Sequence, residues 1–333
     1  MRNTRSENTS ISGGVMLAKD VNHFRSSIEK EKLISLDFQY LSNDIEIWWK
    51  SLKPDTSLRL AKFRLADLIL SKIRPEDAVY FDQLGLNSVS AITIANIFKS
   101  DCHKLARVVH ETLSELFALN DIKYPYEEHR NIYLKPGGEN YRDWGNGFGE
   151  ITPHSDDLYE NLNTDFLSLT VCRDNTNTPT EIFFPKDILH NFSDEEIRRL
   201  FDLKVKFISG KNVTINKSRE RNMIEYHPIT GFKFFLDFRI DTDAGERMIP
   251  IDRKDRDLIE KMRINIASCA PEKSVSKVGT FTIVANFKVL HARAQMRIDQ
   301  KLAVEIANSK DYSLAPRLLF RNKGQDAKFL MYK

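Results

Sequence analysis

Of the 333 residues only three are cysteine, Cys102, Cys172 and Cys269. Their number is odd and their spacing wide, which excludes both a disulfide framework and a C-x-x-C zinc site. Free thiols in a reducing cytoplasm are the expectation. No run approaches the ~18 consecutive apolar residues that a membrane span needs. The opening residues, Met1-Arg2-Asn3-Thr4-Arg5-Ser6, carry no apolar stretch, so no secretory signal is read. Charge of one sign is also scarce. Lys and Arg number 50, Asp and Glu 47, and the formal balance is +3. That gives no overall polyanion-binding signature, and neither a nucleic acid nor a membrane is expected as a partner. Phosphate-loop and nucleophile-elbow patterns are missing too: there is no G-x-G-x-x-G, G-x-x-x-x-G-K-[ST] or G-x-S-x-G.

What is present is a soluble globular composition, 41% hydrophobic and 29% charged. Residues 1–15, rich in Ser, Asn and Gly, read as a disordered tail, and residues 16–333 as one domain. Within it, 16–121 is expected to be a mainly helical flank. Asn43 is a plausible N-cap before Ile45, Ile47, Trp48 and Leu52, and Pro54 stops that segment. Leu58, Leu60, Phe63, Leu65, Leu68 and Leu70 recur at helical spacing up to Pro75. Residues 78–81 suggest a short strand, and 102–119 a long amphipathic helix.

The pattern changes near Lys123. A strand at 132–134 and a Gly-rich loop with Tyr141 and Trp144 lead into short strand-like runs at 166–172, 181–184, 205–208, 223–226, 232–238, 279–285 and 318–321. Helices are expected at 193–201, where Ser193 and Glu196 form a capping box, and at 252–267. Helices first and many short strands after suggest a mixed α+β fold with a β-sandwich or barrel core over residues 122–333.

Among eight histidines, most show no partner pattern. His103 and His110 lie on a helix among charged neighbours. His154 differs. It stands in Thr152-Pro153-His154-Ser155-Asp156-Asp157, and residues i and i+2 of an extended chain point to one side. His154 and Asp156 can therefore offer an imidazole and a carboxylate to one metal ion. His291 comes after the apolar run Phe281-Thr282-Ile283-Val284-Ala285, where a strand would deliver it. Two His and one carboxylate, with positions left open, make the facial triad of non-haem Fe(II) oxygenases. The alternative for His154 and Asp156 is a loop hydrogen-bond pair.

At these residues the sequence resembles a family, the Fe(II)/2-oxoglutarate dioxygenases, in the clavaminate synthase-like branch related to taurine dioxygenase. His154-Ser155-Asp156 looks like its H-[ST]-[ED] motif, and residues 165–174 look like the strand next to that motif. Residues 279–293, ending Asn286-Phe287-Lys288-Val289-Leu290-His291-Ala292-Arg293, look like its G-D-L-x-x-x-D-N-x-R-x-x-H-G-R segment. Arg317-Leu318-Leu319-Phe320-Arg321 looks like its R-[FW]-L-x-R close. The resemblance spans about 124–323. Departures are Ala292 in place of Gly, a shorter loop before His154, and 26 positions from His291 to Arg317, with a helical insert expected near 298–311.

The resemblance implies a double-stranded β-helix (jelly roll) core with flanking helices. It also implies an oxygenase consuming 2-oxoglutarate and O2 at Fe(II), the metal held by His154, Asp156 and His291. The far carboxylate of 2-oxoglutarate needs a bidentate cation, for which Arg317 is the choice and Arg293 the alternative. Thr180 would add a hydrogen bond, with Thr178 as fallback. The expected substrate is a free amino acid, such as the basic lysine or arginine. Arg321 would then take its α-carboxylate and Asp237 its side-chain cation. Asp237 has a second reading, as an ion-pair partner of Arg239 or Arg253. Other readings of the whole are a dioxygenase of a sulfonate or small carboxylate, and a catalytically silent jelly-roll binding protein. The oligomeric state stays open.

Overall fold

The apolar runs fold as mixed helix and sheet in the computed structural model, which describes residues 18–121 (except 87), 132–134, 150–294 (except 162–163, 173–177, 211–215, 228, 242–244 and 275–276) and 317–324. The tail expected at 1–15, the loop with Tyr141 and Trp144, and the insert expected near 298–311 lie outside the described residues.

The chain begins with α1 (Ala18–Glu29), β1 (Lys32–Asp37), α2 (Gln39–Ser51), α3 (Leu58–Lys72) and α4 (Pro75–Gln83). Ser57 caps α3, its hydroxyl accepting the Leu60 amide at 3.3 Å. α2 starts earlier than expected. The Asp37 carboxylate accepts the Gln39 amide at 2.9 Å, which leaves Asn43 inside the helix. Residues 78–81, expected as a strand, lie inside α4. Pro75 fixes the first helical φ, and Glu76 and Asp77 complement the helix N-terminus. Together they override the local strand preference of Val79, Tyr80 and Phe81. β2 (Val89–Ala95) and α5 (His103–Leu116) complete this part. The flank is thus not helical alone, because β1 and β2 pair in parallel within it.

Short strands then dominate: β3 (Leu119–Asp121), β4 (Ile132–Leu134), β5 (Ile151–His154), β6 (Phe166–Val171) and β7 (Thr180–Phe183). After the helices α6 (Pro185–Ile188) and α7 (Asp194–Asp202) come β8 (Lys204–Ile208), β9 (Ser218–Asn222), β10 (Ile224–His227) and β11 (Gly231–Phe234). Next are β12 (Ile240–Asp241), β13 (Gly245–Glu246), β14 (Met248–Pro250), α8 (Arg256–Ser268) and β15 (Glu272–Lys273). The last strands are β16 (Phe281–Ala285), β17 (Leu290–Arg293) and β18 (Arg317–Gly324). α7 carries the expected capping box: Ser193 Oγ accepts the Glu196 amide, and Glu196 accepts the Ser193 amide at 2.7 Å. Gly279 leads into β16 at φ +78°, and a Cβ there would lie 1.9 Å from the Phe98 carbonyl oxygen. Only glycine tolerates both the angle and the approach.

Two sheets position the site. The larger runs β1-β2-β16-β6-β18-β3, with β4 beside β18, and the smaller β15-β7-β17-β5. β2 and β16 are buried along almost their whole length, and their residues are mostly apolar and β-branched. Ala91, Leu167 and Val284 of the larger sheet pack with Ile182 of the smaller, and with Phe184 and Val289, in one apolar cluster. A larger core lies elsewhere, with Leu105, Val109 and Leu113 of α5 and Phe281 and Ile283 of β16 among its members. His110 of α5 is buried there rather than at the surface. Its Nδ1 bonds Thr170 Oγ1 at 2.7 Å and its Nε2 bonds Ser168 Oγ at 3.0 Å. Burial pushes its pKa well below the ordinary value, so this imidazole is a neutral core group. No described helix is long and apolar enough to cross a membrane.

Candidate metal centre

β5 and β17 are antiparallel neighbours, and their register sets His154 opposite His291. Cross-strand partners lie within side-chain contact. The two imidazole centroids are 4.3 Å apart, with the rings inclined at 52°. The chain leaves β5 after His154, and Asp156 turns back on both rings. Its Oδ1 is 3.4 Å from His154 Nε2 and its Oδ2 is 3.5 Å from His291 Nε2. One ligand atom from each residue lies within 4.8 Å of the other two, the one such His/Cys/Asp/Glu group among the described residues. All three residues are mostly or fully buried.

The backbone around Asp156 is held by Asn286, the first residue after β16. Asn286 Oδ1 accepts the Asp156 amide at 2.8 Å. Its Nδ2 donates to the carbonyls of Asp156, at 3.0 Å, and Thr164, at 2.7 Å. Because β16 ends one residue before Asn286 and β17 begins four residues after it, one short turn aligns two ligands. It clamps Asp156 and feeds His291 into its strand.

Protonation fits a metal. Burial first, then the charges of Arg239 and His291, bring the His154 pKa down to about 4, so the ring is neutral near pH 7. Its Nδ1 bonds the Thr152 carbonyl at 2.7 Å, which places the hydrogen there and the lone pair on Nε2, facing Asp156. Burial opposes ionisation of Asp156, but its interactions with the neighbouring His154 and His291 outweigh that and hold the carboxyl well below its usual range. Two imidazole nitrogens and one carboxylate, with no thiolate, are a donor set suited to Fe(II).

The other expected site residues are spread over three strands and the segment after β11. Thr180, half-buried at the start of β7, is the register partner of Arg293, and Ile182 is that of His291. Thr180 therefore stands two positions along the strand from the metal-facing row. Arg317 and Arg321 both lie on β18, opposite Val171 and Leu167 of β6. Asp237 is not a free carboxylate. Its Oδ1 accepts Arg239 Nε at 2.8 Å and its Oδ2 accepts Arg239 Nη2 at 2.7 Å, both residues being buried. A substrate cation would have to displace that guanidinium. Burial works against the charge on Arg239, and Asp237 more than offsets it, holding the group firmly protonated. Arg239 Nη1 also reaches Asp156 Oδ1 at 3.3 Å.

Sequence reasoning gave no role to Asn286 and treated Arg239 only as a partner for Asp237. The spacing rule that joined His154 to Asp156 applies equally to Asp237 and Arg239.

No protein-family model and no curated protein matches the sequence. Solved structures do. The chain is similar to a non-heme iron oxygenase, OrfP, in complex with Fe and alpha-ketoglutaric acid, at TM-score 0.63 and 15% identity, covering 87% of this chain and 93% of that one. OrfP in complex with Fe, succinate and (3R,4R)-dihydroxy-L-Arg matches at TM-score 0.65 and 15% identity, over 88% and 95%. An asparagine oxygenase in complex with Fe(II), 2S,3S-3-hydroxyasparagine and succinate matches at TM-score 0.60 and 14% identity, over 87% and 92%. At these identities the likeness establishes the fold.

Proposed function

We propose that this chain is an Fe(II)- and 2-oxoglutarate-dependent oxygenase that hydroxylates an unactivated C–H of a free amino acid. The observation that carries the reading is the grouping of His154, Asp156 and His291 on two paired strands and the turn beside them, in a fold shared with iron oxygenases. On this reading the two sheets are the walls of a double-stranded β-helix, residues 16–333 act as one catalytic unit, and three widely spaced cysteines suit the cytoplasm.

His154 and His291 would each give Nε2, and Asp156 an oxygen, leaving three positions of an octahedral ion open. Bound iron would supply coupled oxidation: 2-oxoglutarate and O2 are consumed, and succinate, CO2 and a substrate carrying one of the two oxygen atoms are formed. The chain's own task is placement. Thr152 fixes the His154 ring, and Asn286 fixes Asp156. Arg317, at the start of β18, is assigned the far carboxylate of 2-oxoglutarate, because a planar fork matches a carboxylate. Thr180 is assigned a hydrogen bond to the same group. Arg321 is assigned the substrate α-carboxylate. Holding the substrate end fixes the reacting carbon over the metal.

The basic character of the substrate rested on Asp237. With both its oxygens bonded to Arg239, that position favours no lysine or arginine side chain over a neutral one. The class retained is therefore a free amino acid of open side-chain charge. OrfP and asparagine oxygenase, by their own ligands, handle arginine- and asparagine-derived molecules.

The test is a succinate-coupled screen of the twenty amino acids with Fe(II), 2-oxoglutarate and ascorbate. One amino acid should raise succinate well above the substrate-free rate and yield a product one oxygen atom heavier. If the protein binds Fe(II) and 2-oxoglutarate but no amino acid raises succinate, the substrate class is wrong. If it binds neither, the oxygenase reading fails.

A further inference from the structure

We propose that Arg239 is a positioning residue for the metal site: anchored by Asp237, it holds Oδ1 of Asp156 and leaves Oδ2 as the single ligating oxygen. The inference rests on reading His154, Asp156 and His291 as the ligands.

The geometry is a chain of three charged groups. The segment carrying Asp237 runs beside β5. Asp237 forms an antiparallel bridge with His154, and the Ser155 amide donates to the Leu236 carbonyl at 2.8 Å. From Arg239 the side chain returns two residues to Asp237 and makes a two-point bond, Nε to Oδ1 and Nη2 to Oδ2. The Arg239 amide donates to the same Oδ1 at 3.1 Å. A guanidinium held at two corners cannot turn in its plane, so the direction of the third corner is set. That corner, Nη1, is 3.3 Å from Asp156 Oδ1. Both oxygens face an imidazole, Oδ1 at 3.4 Å from His154 Nε2 and Oδ2 at 3.5 Å from His291 Nε2, and it is Oδ1 that the guanidinium takes.

Coordination arithmetic gives the arrangement its consequence. Three single-atom protein ligands leave three positions on an octahedral ion. A 2-oxoglutarate chelate uses two and O2 needs the third. A carboxylate free to rock could bind through both oxygens and take that third position. Arg239 opposes this by occupying Oδ1. The Asp237 carboxylate bonds Arg239 and so fixes the residue that reaches the ligand.

Arg239→Met alone would leave Asp237 as a buried unpaired charge, a change that can prevent folding outright. The informative variant is therefore the double change Asp237→Asn/Arg239→Met. It removes both charges together, a replacement that buried ion pairs commonly tolerate. The new carboxamide keeps an acceptor for the residue 239 amide. Three measurements are made on the full chain: thermal unfolding, anaerobic Fe(II) affinity, and the visible spectrum of the Co(II)-loaded protein, whose band intensity reports coordination number. The expected result is unfolding close to wild type, Fe(II) affinity weakened about 10–100-fold, and a changed Co(II) spectrum. Wild-type affinity with a wild-type Co(II) spectrum in the folded variant would overturn the proposal and leave the pair a purely structural one. If the double variant does not fold, Arg239→Lys replaces it. It keeps the charge but loses the fork, and should shift the Co(II) spectrum; an unchanged spectrum overturns the proposal there too. Failure of the underlying ligand reading looks different: His291→Ala would then bind Fe(II) as wild type does.

Discussion

Asn286→Asp tests the clamp on Asp156 with a nearly isosteric change. Asn286 is 2% exposed, and its side chain makes three hydrogen bonds to backbone. Aspartate keeps the acceptor for the Asp156 amide. It replaces the two donated bonds, to the carbonyls of Asp156 and Thr164, with an oxygen facing two oxygens. A buried polar group left without its partner costs about 1–3 kcal/mol. Two such carbonyls give about 2–6 kcal/mol, a large part of the ~5–15 kcal/mol that holds a typical domain. Urea unfolding followed by circular dichroism should show that loss, and anaerobic titration should show weaker Fe(II) binding, because the Asp156 backbone is no longer held. The pH adds a sign. A protonated carboxyl can donate one hydrogen, so relative to wild type the variant should regain part of its loss as the pH falls. A destabilisation under about 1 kcal/mol together with unchanged Fe(II) affinity would refute the argument that this side chain aligns the ligand.

Three further outcomes are expected. His154→Ala, Asp156→Ala and His291→Ala should each weaken Fe(II) binding while circular dichroism stays close to wild type; unchanged affinity in any one removes that residue from the ligand set. Arg317→Ala should raise the 2-oxoglutarate requirement by about two to four decades, from the ~3–5 kcal/mol lost when a buried carboxylate keeps no partner. If Arg293→Ala does this instead, the assignment moves to Arg293. The metal-free chain should lose stability as pH falls through the window between the ordinary histidine value of 6.5 and about 4, because His154 stays neutral when folded but takes a proton when unfolded. The slope from this one group is about 1.4 kcal/mol per pH unit, up to about 3 kcal/mol. The buried His110 adds in the same direction. Urea melts from pH 7 to 4 measure the slope, and a slope unchanged in His154→Gln would show that His154 is not its source.

The candidate ligands were legible in the sequence because their pattern is local. His154 and Asp156 need only two-residue spacing, and His291 only an apolar strand to deliver it. The capping box at Ser193 and Glu196 was readable for the same reason. β1 and β2 were not. Strand pairing is decided by distant partners, and β2 is a strand because β16, some 190 positions on, pairs with it: Thr93 stands opposite Thr282. Asp237 shows a different limit. Its place among apolar residues marked it as notable, but a buried carboxylate near a pocket and one sealed by its own neighbour look alike in sequence. Only the position of the Arg239 side chain separates them.

The N-terminal part is bound into the metal site rather than appended to it. Lys288 lies in the turn between Asn286 and His291, and its ammonium bonds Glu31 at 2.6 Å across 257 positions of sequence. Both side chains are buried. The other Glu31 oxygen accepts the Ser90 hydroxyl, and the Glu31 carbonyl accepts Lys186 Nζ at 3.3 Å. The carbonyl of Phe287, also in the turn, accepts the Phe234 amide at 2.7 Å. The segment that clamps one ligand and delivers another is therefore fixed from three regions of the chain. A buried pair of this kind adds little net stability over an apolar one, yet losing either member costs about 3–5 kcal/mol. Its effect is on geometry: Lys288 ties to Glu31 the turn whose Asn286 bonds the Asp156 backbone and which leads to His291. The strands β1 and β2 act alike on the larger sheet, since β2 lies against β16, the strand that leads into this turn. Placement of the candidate ligands thus depends on residues before position 100, although none of those described belongs to the His/Asp group itself.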